Sequence, residues 1–148
     1  LIPNAEVLFS GMYQETDVTD PLTGESLRLS TEREWTYNVA YRQELPELKS
    51  AWGGSAKGNS DKFEYKYLEE IAFDRPGSAI EVFAETTQIP GVTVRASVTN
   101  IFHVEETRVR SFFVGSRASD VLQRTEERKQ KGGPEGTQWV AVRVSGTF

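Results

Sequence analysis

The sequence predicts an all-β protein, an antiparallel up-and-down meander of about six long strands. Three observations carry that prediction. Apolar and polar residues alternate with period two along nearly the whole chain, as strands with two unlike faces require. No stretch shows a sustained helical period. Pro- and Gly-bearing breaks recur between the alternating stretches.

The first strand spans Ala5 to Glu15. Ala5, Val7, Phe9, Gly11 and Tyr13 share one face, and Glu6, Ser10 and Gln14 share the other, with Leu8 and Met12 as exceptions. Asp20 to Glu25 (DPLTGE) reads as a turn, with Pro21 and Gly24 placed to reverse the chain. The second strand runs from about Leu27 to Leu45. Trp35, Tyr37, Val39 and Tyr41 alternate there with Glu34, Thr36, Asn38, Ala40 and Arg42. Pro46 then interrupts, because proline cannot donate to a strand ladder.

The third strand runs from Lys49 to about Ile71, with Phe63, Tyr65 and Tyr67 set against Lys62, Glu64 and Lys66. Asp74 to Gly77 closes it. The fourth is Ser78 to Gln88, where Ile80, Val82, Ala84 and Thr86 oppose Glu81, Phe83 and Glu85. Ile89 to Gly91 is a tight turn. The fifth begins at Val92 and is expected to continue through Asn100, Ile101 and Phe102 to Phe113. The sixth runs from about Val121, through a Gly-rich break at Gly132 to Gly136, to the end. The stretch Ser119 to Lys131 is the best helical candidate. Its apolar residues stop at Leu122, so it is read as strand.

The turns differ in character. Leu45 to Leu48 and Ile89 to Gly91 are short, whereas 16–31, 72–77 and 114–120 are longer or more polar. Outer-membrane barrels combine short periplasmic turns with longer outer loops. Aromatic residues fall toward strand ends (Trp35, Tyr41, Trp52, Trp139, Phe148), as interfacial anchors do, while Glu81, Arg95 and Arg143 place charge in mid-strand on the other face. A sheet with one solvated face alternates equally well, so the pattern also fits a soluble β-module.

Composition excludes several classes. The chain has 148 residues and a net charge of -5, which argues against a nucleic-acid surface. It has no cysteine and one histidine, so disulfide frameworks, thiolate centres and multi-histidine metal sites are absent, and no cofactor is expected. No apolar run is long enough for a membrane helix. The mean hydropathy of -0.49 does not bear on a barrel, whose strands average apolar and polar faces. Residue 1 is Leu, and Leu1 to Asn4 lacks the basic head and apolar stretch of a signal peptide. The chain is expected to begin within a longer protein.

Two stretches resemble a known family. Thr137 to Phe148 (TQWVAVRVSGTF) is similar to the closing strand of outer-membrane barrels, which ends on an aromatic residue preceded by alternating apolar ones. Gly91 to Phe102 (GVTVRASVTNIF) is similar to the penultimate strand of TonB-dependent receptors, which ends in an Asn-Leu-Phe-Asp-like sequence. Ile101 and His103 depart from it. Glu105 to Arg110 and Gly115 to Arg117 fit a subgroup of that family. The resemblance covers 91–148 closely and is consistent with 5–90.

The resemblance implies that residues 1–148 are the C-terminal part of a transmembrane β-barrel of roughly 22 strands, whose plug and earlier strands lie elsewhere. It implies a location in the outer membrane of a Gram-negative bacterium and contact with lipid and lipopolysaccharide. It also implies assembly through Val142, Val144 and Phe148 as the signal read by the barrel-assembly machinery. The complete receptor would take up a scarce extracellular solute (a ferric siderophore, vitamin or oligosaccharide) by TonB-coupled active transport, with TonB engaged by the N-terminal region. The alternative is a soluble secreted all-β binding module, such as a carbohydrate-binding sandwich.

No enzyme is expected, because no nucleophile, base and orienting group form a set. His103 reads as a polar rim residue, and its neighbours Glu105 and Glu106 do not make a metal set. Glu69 with Glu70, and Glu81 with Glu85, read as solvated or lumen-facing acids rather than a catalytic pair. Gly132 to Gly136 lacks the Lys and Ser/Thr of a phosphate loop. The mixed charges from Arg124 to Lys131 read as a solvated strand extension, with lipopolysaccharide contact the less favoured reading.

Overall fold

The computed structural model describes residues 3–74, 77–130 and 137–146. Phe148, the terminal residue of the expected assembly signal, and the break at 132–136 lie outside them.

The described chain is all-β and antiparallel. Twelve strands follow one another: β1 (Ala5–Tyr13), β2 (Val18–Thr19), β3 (Ser26–Leu27), β4 (Trp35–Leu45), β5 (Ser50–Asn59), β6 (Lys62–Tyr65), β7 (Glu69–Asp74), β8 (Ala79–Thr86), β9 (Val92–Thr99), β10 (Glu106–Phe113), β11 (Leu122–Gln130) and β12 (Trp139–Gly146). A six-stranded sheet has the order β1-β4-β5-β8-β9-β12, a four-stranded sheet the order β11-β10-β7-β6, and β2 pairs with β3. The large sheet is a meander: its strands keep chain order.

The two short turns join β4 to β5 and β8 to β9. A single 3-10 turn, Pro46–Leu48, makes the first, and Lys49 at φ 45° releases the chain into β5. Gly91, at φ 73°, ends the second, in a conformation that only glycine adopts freely. At the opposite end the connections grow into hairpins. β2 and β3 flank the Asp20–Glu25 turn expected from sequence, with Gly24 at φ 76°. The β6–β7 and β10–β11 hairpins extend beyond the large sheet and join each other through β7 and β10.

Four sequence expectations change. The second long strand does not run unbroken from Leu27 to Leu45: Leu27 ends β3, which pairs with β2, and the strand of the large sheet starts only at Trp35. The third long strand leaves the large sheet after Asn59, resumes in the small one as β6, and reverses at Lys66 to Leu68, not at 72–77. Phe63 pairs with Ala72 and Tyr65 with Glu70, so β7 runs back along β6. The Gly77 region, at φ 91°, instead redirects the chain from the small sheet to the large one. The fifth strand does not continue through Asn100. It leaves the large sheet after Thr99 and enters the small one at Glu106. The sixth is likewise two strands in two sheets, β11 and β12.

The pairing register sorts side chains into two faces. Phe9 lies opposite Val39, Val39 opposite Ala56, and Ala56 opposite Ile80; Val82 lies opposite Val98, and Val98 opposite Val140. This face carries no Asp, Glu, Lys or Arg in any of the six strands. The other face carries Glu6, Arg42, Glu44, Lys57, Glu81, Glu85, Arg95 and Arg143.

Among the described residues no conventional core lies between the sheets. The large sheet's strands pack on their hydrogen-bonded neighbours, and no second sheet spreads across the apolar face among the described residues, as a sandwich would need. Among the described residues buried apolar side chains are few: Ala51, Ile71, Phe73 and Ala79. The chain exposes 9880 Å², whereas area scaling gives about 7,600 Å² for a compact monomer of 16.6 kDa. Val7, Phe9, Val140, Val142 and Val144 are each at least 65% exposed. Such an apolar area needs a partner other than water.

Two glycines leave room for aromatic rings from the neighbouring strands. The Phe83 ring covers Gly53 on the charged face, where a Cβ would sit 2.8 Å from the ring. The Tyr37 ring covers Gly58 on the apolar face, where a Cβ would sit 2.6 Å from the ring. The break in alternation at Phe83 is thus a packing feature.

Candidate functional site

Three groups of residues are candidates: the apolar face with its aromatic rim, the ion network on the opposite face, and a clamp that holds the long loops.

On the apolar face, β-branched residues, alanines and Phe9 fill the middle, and the tryptophans and tyrosines flank them. Tyr41 and Trp52 pack together near the short-turn end, with ring centroids 5.4 Å apart. Trp35, the first residue of β4, stacks on Tyr37 at 5.8 Å near the long-loop end. From Trp35 to the level of Trp52 is about 26 Å along the strand at the usual rise, or about 20 Å once a barrel-like tilt is applied. That is close to the height of an outer-membrane apolar band, about 25 Å. Val142 and Val144 lie on this face and are 69% and 65% exposed. Trp139 does not. It falls one residue out of phase with Val140, Val142 and Val144, so side-chain parity places it on the charged face with Arg143. The structure therefore groups Trp35, Tyr41 and Trp52 and separates Trp139.

On the charged face, ions pair across strands. Arg42 meets Glu85 at 2.5 Å and Glu44 at 3.4 Å; Arg95 meets Glu81 at 3.2 Å and Glu85 at 3.7 Å. The Arg95 guanidinium also stacks on Phe83, 3.7 Å from the ring centroid. Gly53 makes room for that ring, so a missing side chain on β5 positions the network on β4, β8 and β9. Arg42, Glu81 and Arg95 of the network line a concavity of about 350 Å³ together with Glu6, Asn38 and Lys57. Glu81 and Glu85 are each held by arginines, which suits a fixed wall rather than acid–base chemistry. Glu69 and Glu70 point to opposite faces of β7, so they share no cleft.

The clamp lies among the long connections. Arg117, in the 3-10 turn Arg117–Ser119, reaches the Asp20 carboxylate at 2.5 Å and donates from Nε to the Lys66 carbonyl at 2.7 Å. Its guanidinium lies 5.2 Å from the Tyr65 ring centroid. Arg117 and Asp20 are both buried. Together they tie the β2–β3, β6–β7 and β10–β11 connections into one body. The Leu22 N–H donates to Asp20 at 2.8 Å, and this bond, with Arg117 adding to it, holds the Asp20 carboxyl below its ordinary range against the opposing effect of burial. On β7, burial pushes the Glu69 carboxyl upward, but hydrogen bonds from Arg110 and Lys66 outweigh it and the net direction is down.

Asn100 makes the bend between the two sheets. It is fully buried at φ 54°; its Oδ1 accepts from the Val104 N–H at 2.9 Å, and its Nδ2 donates to the Val104 carbonyl at 3.0 Å. Asparagine tolerates the left-handed conformation better than other branched or bulky residues. His103, also at positive φ, is exposed on the same bend. No group of three or more possible metal ligands occurs among the described residues.

Sequence reasoning singled out Asn100 and Arg117 only as parts of resembling motifs. Their roles were missed because each depends on a partner in another strand or loop. Arg124 to Lys129 lie on an exposed strand, as expected. No family model, curated protein or solved structure matches the chain.

Proposed function

We propose that this chain is part of the wall of an outer-membrane β-barrel receptor of the TonB-dependent kind. The carrying observation is the division of the six-stranded sheet into an uncharged, exposed face and an opposite face crossed by ion pairs. In this reading the uncharged face meets lipid and the Arg42–Glu85–Arg95–Glu81 network faces the lumen. The β6–β7 and β10–β11 hairpins stand above the membrane on the long-loop side. Both outer edges of the sheet, on β1 and β12, lack a partner among the described residues. Further strands of the same barrel would pair there, since membrane barrels have about 8 strands or more.

The complete receptor would admit a scarce extracellular solute by TonB-coupled transport, with the plug and the TonB-contacting segment in other parts of the protein. This chain's share is wall, loop surface and assembly signal, and no catalysis is proposed.

The three tryptophans provide the test. Single-tryptophan forms of the chain are reconstituted in vesicles that contain brominated lipid, and fluorescence quenching is measured. Trp35 and Trp52 are expected to be quenched and Trp139 spared. Equal quenching of all three, or of none, would overturn the lipid-facing assignment.

A further inference from the structure

One row of side chains on the four-stranded sheet is left electrostatically unbalanced. Lys62 on β6 lies opposite Phe73 on β7, Phe73 opposite Arg108 on β10, and Arg108 opposite Arg128 on β11. The row therefore holds three cations and one ring. Lys62 Nζ lies 4.2 Å from the Phe73 ring centroid and the Arg108 guanidinium 5.6 Å from it, which leaves Phe73 only 8% exposed.

The adjacent rows are balanced. On one side Arg110 is held by Glu69 at 2.5 Å and Glu126 at 4.0 Å. On the other, Glu106 meets Arg33 at 3.2 Å. Among the described residues the row's one ion pair is made from outside it, by Glu64, two positions along β6 and 3.8 Å from Lys62. Neither Arg108 nor Arg128 has a carboxylate partner among the described residues, and Arg108 Nε is buried with no acceptor. Like charges placed directly opposite in a sheet repel, and a buried donor without an acceptor costs about 1–3 kcal/mol. The chain as a whole is acidic, at -5, so the row is not one sample of a basic surface.

We propose that Lys62, Arg108 and Arg128 form a subsite for an oxyanion group, a carboxylate or phosphate, carried by a soluble ligand. The planar guanidinium fork matches either group, and an oxyanion would supply the missing negative charge. Arg33 bridges Glu106, on the face of the small sheet that bears the row, and Asn59, on the charged face of the large sheet. The row is thus continuous with the face assigned to the lumen. This deepens the receptor reading, on which it rests only for the route by which the ligand arrives: the solute taken up is anionic.

The test uses the whole chain in detergent, with inorganic phosphate as the probe and sodium chloride at matched ionic strength as the control. Side-chain Nε–H resonances of the arginines are followed by NMR. The Arg108 signal is expected to shift saturably with phosphate and not with chloride. Arg128→Gln, an exposed substitution that leaves the fold intact, weakens the response about tenfold, the usual scale for one charge-assisted contact. Arg108→Gln abolishes the shift as its own signal disappears, so its effect is read on Arg128. Arg124→Gln, off the row and paired with Glu126 at 3.1 Å, leaves binding unchanged.

A response to chloride of the same size, or an equal loss in Arg124→Gln, would overturn the site. Saturation by lipopolysaccharide micelles without any response to phosphate would replace the soluble ligand by a lipid headgroup and overturn the solute assignment. The lipid-quenching test reads tryptophans elsewhere. A phosphate-blind row in a chain with quenched Trp35 and Trp52 sinks the subsite alone, and phosphate binding in an unquenched chain sinks the wall reading alone.

Discussion

Replacing Asn100 by alanine should uncouple the two sheets. The substitution removes both side-chain hydrogen bonds to Val104, at 2.9 and 3.0 Å, in a residue with no solvent exposure. Each bond contributes about 1 kcal/mol, and more where the orphaned backbone group stays out of water. Alanine at φ 54° adds about 1 kcal/mol of backbone strain. The expected loss is about 3–5 kcal/mol, local to the bend and to β10. Hydrogen exchange at Val104 and along Glu106–Phe113 is the assay, and exchange there should accelerate by at least two orders of magnitude, at about 1.4 kcal/mol per tenfold. Asn100→Gly removes the same bonds without the strain, so it should be milder than alanine. Unchanged exchange in Asn100→Ala, or a glycine variant worse than alanine, would refute the assignment of Asn100 as the bend.

Three further outcomes are expected. Gly53→Ala forces the new Cβ against the Phe83 ring and the Tyr41 carbonyl, and should cost about 1–3 kcal/mol as overpacking does; reversible urea unfolding in detergent with no loss would count against the ring-over-glycine packing. The Asp20 carboxyl titrates below its ordinary value of 3.8, so its contribution to the loop clamp is complete above that pH and disappears as pH falls through the lower folded value. Limited proteolysis of the 16–31 connection should accelerate only below about pH 3.8, and Arg117→Met should already accelerate it at neutral pH; protection that is independent of both acid and Arg117 would dismiss the clamp. Phe148→Ser in the complete receptor should lower the yield of heat-resistant, compact barrel in the outer membrane, and wild-type yield would argue against the assembly-signal reading.

Breaks in the sequence pattern proved ambiguous where they stood alone. Pro46 and Gly91 were legible as reversals because a hairpin is the local solution for each. Lys66 to Leu68 contains neither proline nor glycine, yet the chain reverses there. The opposite happened at Gly77 and Asn100, which carry turn-type residues but only redirect a strand from one sheet to the other. A φ above zero marks a change of direction and not its angle. Trp139 shows the converse. Its aromatic character pointed to an anchor, but parity within β12 already put it with Arg143.

The sequence by itself determined the all-β class, the short turns and which residues share a face within a strand. Those follow from the period-two geometry of the backbone, which any single strand expresses without a partner. Only the tertiary structure decided that the long hairpins form a second sheet through β7 and β10, that Arg117 reaches Asp20 across the loops, and that Arg108 stands between Lys62 and Arg128. These contacts join residues far apart in the chain. Their register is set by which strand edges remain free to hydrogen-bond, and no local window of sequence records that.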